Sequence, residues 1–253
     1  MARAMDGFIA SYYLQVMRFW RTRARLMGSI VQPVFWMIFF GIGFTNSVRF
    51  IGSPTKYIDY LVPGVILMSV FMASFLSGMS VIWDREFGFL KVILVSPTPR
   101  KASILGRVFG DATVAIFQGL IISVIAFVIA PDLNYSSIVM VLGIAFLVAL
   151  STSCIGIMIA SRMRSFEGFG LIVNLISMPL VFASGVFYPV DAMPDWMKLI
   201  AYISPLTYGA DAVRELMIGI QGFGIIFDVI ILSSITAILL MISISIFERT
   251  TIE

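Results

Sequence analysis

The residues able to do chemistry in this chain are few, and many of them crowd into one stretch. From Asp84 to Arg100 the sequence reads DREFGFLKVILVSPTPR. It sets Asp84, Arg85, Glu86, Lys91 and Arg100 among Phe87, Phe89, Leu90, Ile93 and Leu94, and it closes on Pro97 and Pro99. Elsewhere the usual reactive groups are missing. Histidine is absent, which removes imidazole acid–base catalysis, most zinc sites and histidine proton relays. The single cysteine, Cys154, sits in an apolar run and reads as a small buried hydrophobe, with no intrachain disulfide possible. Neither a phosphate-binding GxxxxGK followed by Ser or Thr nor a nucleophile elbow GxSxG occurs. No catalytic residue and no metal site is therefore assigned, and any motor for active transport has to be a separate subunit.

The elements that must position the charged stretch are set by composition. The chain has 253 residues, 60% hydrophobic and 12% charged, with a mean hydropathy of +1.02. A soluble domain of this size carries roughly 25% charged residues, so most of this surface faces lipid and the chain is an all-α integral membrane protein. The net charge of +3 is too small to argue for nucleic acid. Uncharged windows at 29–48, 60–83, 112–130, 133–161, 168–190 and 229–247 each approach or exceed the ~20 residues a helix needs to cross hydrocarbon, and they predict six transmembrane helices. With the N-terminus inside, the outer segments hold only Arg49, Lys56, Lys198 and Arg214 among the 17 Lys and Arg residues. That asymmetry places both termini and the Asp84–Arg100 stretch in the cytoplasm.

Ahead of the first window, Ser11, Gln15, Arg18, Thr22 and Arg25 share one helical face, while Phe8, Ile9, Tyr12, Val16, Phe19 and Trp20 share the other. This predicts a helix lying flat in the interface, rather than a signal peptide, since no small-residue cleavage site follows. Between the fifth and sixth windows, Pro189, Pro194 and Pro205 divide an apolar outer segment whose uncharged piece, 199–210, is too short to cross. It reads as re-entrant or interfacial. Asp195 offers a helix start there, and Asp211, Arg214 and Glu215 a polar face with an attractive Asp211–Arg214 pair.

Ionisable residues are missing from the window centres, which weakens the case for ion-coupled transport. Asp111 follows Arg107 by one turn and reads as its ion-pair partner; Glu167 reads the same way beside Arg162 and Arg164. Asp228 opens the last window, where a helix N-terminus favours an acid. Gln118, Asn174 and the run Ser151–Thr152–Ser153 either line a path or join helices by hydrogen bonds. Gly41, Gly43, Gly78, Gly156, Gly168 and Gly170 permit close helix contact. Phe71, Phe75, Met178 and Phe182 suit an apolar path as well as they suit packing.

Within the charged stretch, Phe87, Leu90 and Leu94 recur at helical spacing, so a short helix can rest one face on the bundle and leave Asp84, Arg85, Glu86 and Lys91 for a partner. The acids are expected in its first turn, where the dipole favours them. Gly88 allows another backbone close, and Ser96–Pro97–Thr98–Pro99 stops the helix. A solvated amphipathic loop with no partner is the plainer alternative.

Taken together, the basic interfacial helix, the span opening Tyr60-Leu61-Val62-Pro63-Gly64, the DREFGFLKVILVSPTPR segment and FYPVDAMPDWMKLIAYISPLTYGADAVREL before the last span resemble the type-2 ABC exporter permeases, which include drug, polysaccharide and lipo-oligosaccharide exporters. The resemblance covers essentially the whole chain. It implies one permease domain over 1–253, with a connecting helix at 1–28, a cytoplasmic coupling helix within 84–100 and outer re-entrant helices within 188–216. It further implies two ATP-binding subunits carrying ATP and Mg, a second permease copy forming a homodimer, and a place in the cytoplasmic (inner) membrane. No cofactor belongs to this chain itself. Asp84, Arg85, Glu86, Phe87, Gly88 and Leu90 become the expected ATPase-coupling contacts, with Glu86 foremost. The function expected is the permease of an exporter for an amphipathic drug, lipid or glycan. A secondary transporter or channel without a motor is the alternative.

Overall fold

An uncharged run that crosses lipid has to satisfy its own backbone hydrogen bonds, and a single run can do so only as a helix. The computed structural model describes residues 2–21, 23–45, 56–88, 98–163, 165–220 and 222–248, and the regular elements among them are helices. In chain order they are α1 (Ala2–Arg21), α2 (Arg23–Trp36, running on as a π-helical turn Met37–Ile42), α3 (Tyr57–Ser77), α4 (Met79–Glu86), α5 (Arg100–Ile129), α6 (Ile138–Arg162), α7 (Phe166–Phe182), α8 (Asp195–Ile203), α9 (Pro205–Ile218) and α10 (Ile225–Glu248).

Four helical segments are long and apolar enough to cross a membrane: Tyr57–Glu86, Arg100–Ile129, Tyr135–Arg162 and Ile225–Phe247. The first and fifth windows form shorter apolar helices, Gly28–Ile42 and Phe166–Phe182. For the fifth the cause is visible in the backbone. Pro179 lies inside α7, which ends at Phe182, and the chain then turns through Gly185 at φ +81°.

α3 is the centre of the bundle. It is apolar around its whole circumference and buried almost throughout from Tyr57 to Phe71, as a helix surrounded on all sides must be. α5, α6 and α9 pack on it, α10 closes over α6 and α9, and α1 lies along α5. Glycines set the tightest crossings. A Cβ on Gly78 would collide with the backbone of Gly156, and one on Gly156 with the Phe75 carbonyl, so α3 and α4 meet α6 at the break between them. Gly106 and Gly110 do the same for α1: side chains there would strike the Phe8 carbonyl and reach within 3.0 Å of the Tyr12 carbonyl oxygen.

Three expectations about local structure are corrected. Part of the polar face of α1 turns inward to the bundle. Gln15 and Phe19 are both buried, while Ile9, Tyr13 and Trp20 are exposed, because polar partners wait for Gln15 and Arg18 on α4. Asp84, Arg85 and Glu86 do not open a new helix; they form the last turn of α4, which continues the second span, and Phe87 ends it. Residues 89–97, including Leu90 and Lys91, lie outside the described residues. Finally, Arg214 does not share an outer polar face with Asp211 and Glu215, since its side chain turns into the bundle.

Candidate functional site

The last turn of α4 is where buried polar groups from several helices converge. Asp84 is fully buried and accepts hydrogen bonds from Arg18 of α1 on one carboxylate oxygen and from Arg107 of α5 on the other. Its position at a helix C-terminus is unfavourable for an acid, and the two guanidinium groups offset that. One turn earlier, Ser80 Oγ accepts from Gln15 Nε2 and from Arg107 Nη1, both at 3.0 Å. Arg85 reaches the other way, donating to the carbonyl oxygens of Met163 at 2.8 Å and Ser161 at 3.0 Å. These lie at the C-terminal end of α6, where the last carbonyls lack helical partners and a cation is favoured. Trp83 sets its ring against Phe166 of α7, centroids 5.9 Å apart.

One helical turn thus ties α1, α5, α6 and α7 together. Of the six expected contact residues, the structure draws Asp84 inside and fixes Arg85 to α6, and it leaves Glu86 exposed and Phe87 70% exposed. Gly88 follows at φ +76°, with open space around it. Among the described residues at this end of α4, Glu86 and Phe87 are thus the ones open to contact from outside the chain.

Asp111, the expected partner of Arg107, is buried and accepts from Ser153 Oγ at 3.1 Å. Ser74 and Thr152 share a hydrogen bond of 2.5 Å between α3 and α6. Two members of the Ser151–Thr152–Ser153 run therefore join helices. The residues named for a path are scattered. Phe71 and Phe75 are sealed in the core with their rings in contact, Asn174 and Met178 face outward on α7, and Phe182 stacks on Phe187. Gln118 borders a cavity among the described residues.

At the outer end the Tyr60–Gly64 opening of the second span meets the turn before α8. Arg214 donates to the Gly185 carbonyl at 2.8 Å and lies over the Tyr60 ring at 3.8 Å, while Tyr60 donates to the same carbonyl at 3.0 Å. Tyr57 donates to the Phe187 carbonyl at 3.1 Å. Burial pulls the Arg214 guanidinium below its usual range, opposed by the Tyr60 ring and Asp211. Asp211 and Glu215 accept the Phe223 and Ile225 N–H groups, at 2.7 and 3.1 Å, where α10 begins. At the exposed rim, a hydrogen bond to Asp132 raises the Lys56 ammonium above its ordinary value.

The model of the ABC-2 type transporter family matches residues 7–218, and the chain belongs to that family. It is 30% identical over 218 residues to the ycf38 transport permease of Porphyra purpurea, covering 83% of this chain and 72% of that protein. It is 25% identical to the inner membrane transport permease YadH of Escherichia coli strain K12, covering 86% and 84%. To the daunorubicin resistance ABC transporter permease protein DrrB1 of Streptomyces coeruleorubidus it is 26% identical, covering 88% and 78%. As a member, the chain is a membrane-embedded transport permease of the ABC exporter type, and its role is transport rather than catalysis.

Proposed function

We propose that this permease is driven by a separate ATP-binding subunit, holding ATP and Mg, that presses on Glu86, Phe87 and Gly88 at the cytoplasmic end of α4. The observation that carries the reading is the junction at Asp84 and Arg85: a push on the exposed tip of this turn is transmitted at once to α1, α5, α6 and α7. A motor can shift the permease only by touching it differently in its two nucleotide states, and a turn bonded to several helices converts such a difference into movement of the bundle. Residues 84–100 then act as the coupling segment, and residues 1–28 as a connecting helix along the inner leaflet.

In the same reading the chain crosses the inner membrane six times with both termini cytoplasmic, the two shorter apolar helices completing the set. The 188–216 segment forms re-entrant helices at the outer face, and residues 1–253 make one permease domain. Two copies pair as a homodimer with two ATP-binding subunits. The outward face of α7 supports the pairing: Leu171 and Leu175 are 73% and 75% exposed beside Asn174 and Met178, and α7 packs only lightly on its own bundle. The cargo is an amphipathic molecule, a class favoured by the relative named for daunorubicin resistance.

The test is charge reversal at the exposed tip. Glu86→Arg should leave insertion and folding intact while abolishing the substrate-stimulated ATP hydrolysis of the reconstituted complex; unchanged stimulation would rule out Glu86 as a coupling contact.

A further inference from the structure

Between the end of α1, α2, α3 and α5 lies a groove with a volume of about 290 Å³. Its described walls are mostly apolar, with Phe19, Met68, Met72 and Leu76 prominent, and none of the described lining residues carries a charge. Two carboxamides interrupt this surface, Gln32 and Gln118. Gln118 is the telling one. It is only 3% exposed, it makes no hydrogen bond to the described residues, and the space it borders is the groove. Its carboxamide opens on the groove, so a polar group lying there can pair with it while the rest of the side chain stays packed.

The position of Gln118 narrows the chemistry. It stands three helical turns beyond Arg107, about 16 Å along α5, whereas Arg107 and Arg18 already mark the charged layer at the inner surface. A phospholipid headgroup belongs at that layer and would leave Gln118 unsatisfied, and a bare acyl chain would do the same. Around Gln118 the described lining offers an ion no counter-charge, and desolvating one there would be costly. The volume lies just under the ~300–1,000 Å³ of drug-sized pockets, which suits a small molecule or one end of a larger one.

We infer that this groove binds an uncharged amphiphile, its apolar body against Phe19, Met68, Met72 and Leu76 and its hydroxyl, amide or carbonyl group on the Gln118 carboxamide. The inference rests on the exporter reading in treating that ligand as cargo.

The experiment uses the full chain in lipid nanodiscs without any ATP-binding subunit, photolabelled with a diazirine analogue of octanol and mapped by peptide mass spectrometry. Label is expected on 68–76 and 114–118. Octanol should displace it about tenfold better than octane at equal membrane concentration, the worth of one hydrogen bond. Gln118→Leu should keep the label but erase the preference for octanol, and Ala73→Phe, which fills the groove, should remove the label. Label spread evenly along lipid-facing helices and indifferent to Ala73→Phe overturns the inference, as does equal displacement by octanol and octane in the unsubstituted protein. Because no ATPase is present, this assay can fail while the Glu86→Arg test succeeds, and the reverse.

Discussion

Asp84 and Glu86 are two residues apart in the sequence and opposite in circumstance. Asp84 is fully buried between two arginines, and its neighbour beyond Arg85 is exposed. Removing one member of a buried ion pair leaves an uncompensated charge and costs about 3–5 kcal/mol. Asp84→Asn strands Arg18 and Arg107 in this way, and it should lower the unfolding temperature of the purified permease markedly. Glu86→Arg, at an exposed position, should change stability by no more than about 0.5 kcal/mol, so thermal unfolding in detergent separates the two. The sequence showed that this cluster was important but not which member faces inward. Arg18 and Arg107 lie far from Asp84 in the chain, and only packing brings them to it. The pattern had assigned Arg107 to Asp111, one turn away on the same helix, because adjacency along a helix is all that spacing reveals.

Helices were legible where composition is extreme and blurred where polar residues are buried. The windows at 60–83, 112–130, 133–161 and 229–247 each coincide, to within two residues, with part of a span long enough for the membrane, since lipid leaves an uncharged run no other regular structure. Spacing shows that α1 has a polar face but not what that face meets, and Gln15 and Arg18 bond to Ser80 and Asp84. Gly106 and Gly110 were passed over, although their four-residue spacing is the one that lets helices touch along small residues. That contact is testable. Gly106→Val places a side chain against the Phe8 carbonyl, so α1 must lift from α5, and its amides should exchange with deuterium faster than in the unsubstituted chain. Gly43→Ala, with open space at its Cβ, should leave exchange as it was.

At the scale of the molecule, the two ends of the second span each carry a polar junction. The inner one binds α4 to α1, α5 and α6, and the outer one binds Tyr60 and Arg214 to the Gly185 turn. α3 lies between them, buried on all sides, and a displacement at Glu86 has a continuous packed route to the outer segment. The two most specific sequence segments of the family resemblance sit at these junctions, which is why the class of protein could be read from the chain while the path for cargo could not. A path depends on which faces meet in an assembled complex, and residue type alone does not say which faces those are. The central claim, that a motor seats on the tip of α4, is tested most directly by placing a photoreactive benzoylphenylalanine at Phe87 and irradiating the assembled transporter in its membrane. The account predicts a cross-link to the ATP-binding subunit whose yield changes between ATP-bound and nucleotide-free states. Cross-linking to lipid alone, in a transporter that still hydrolyses ATP in response to substrate, would contradict it.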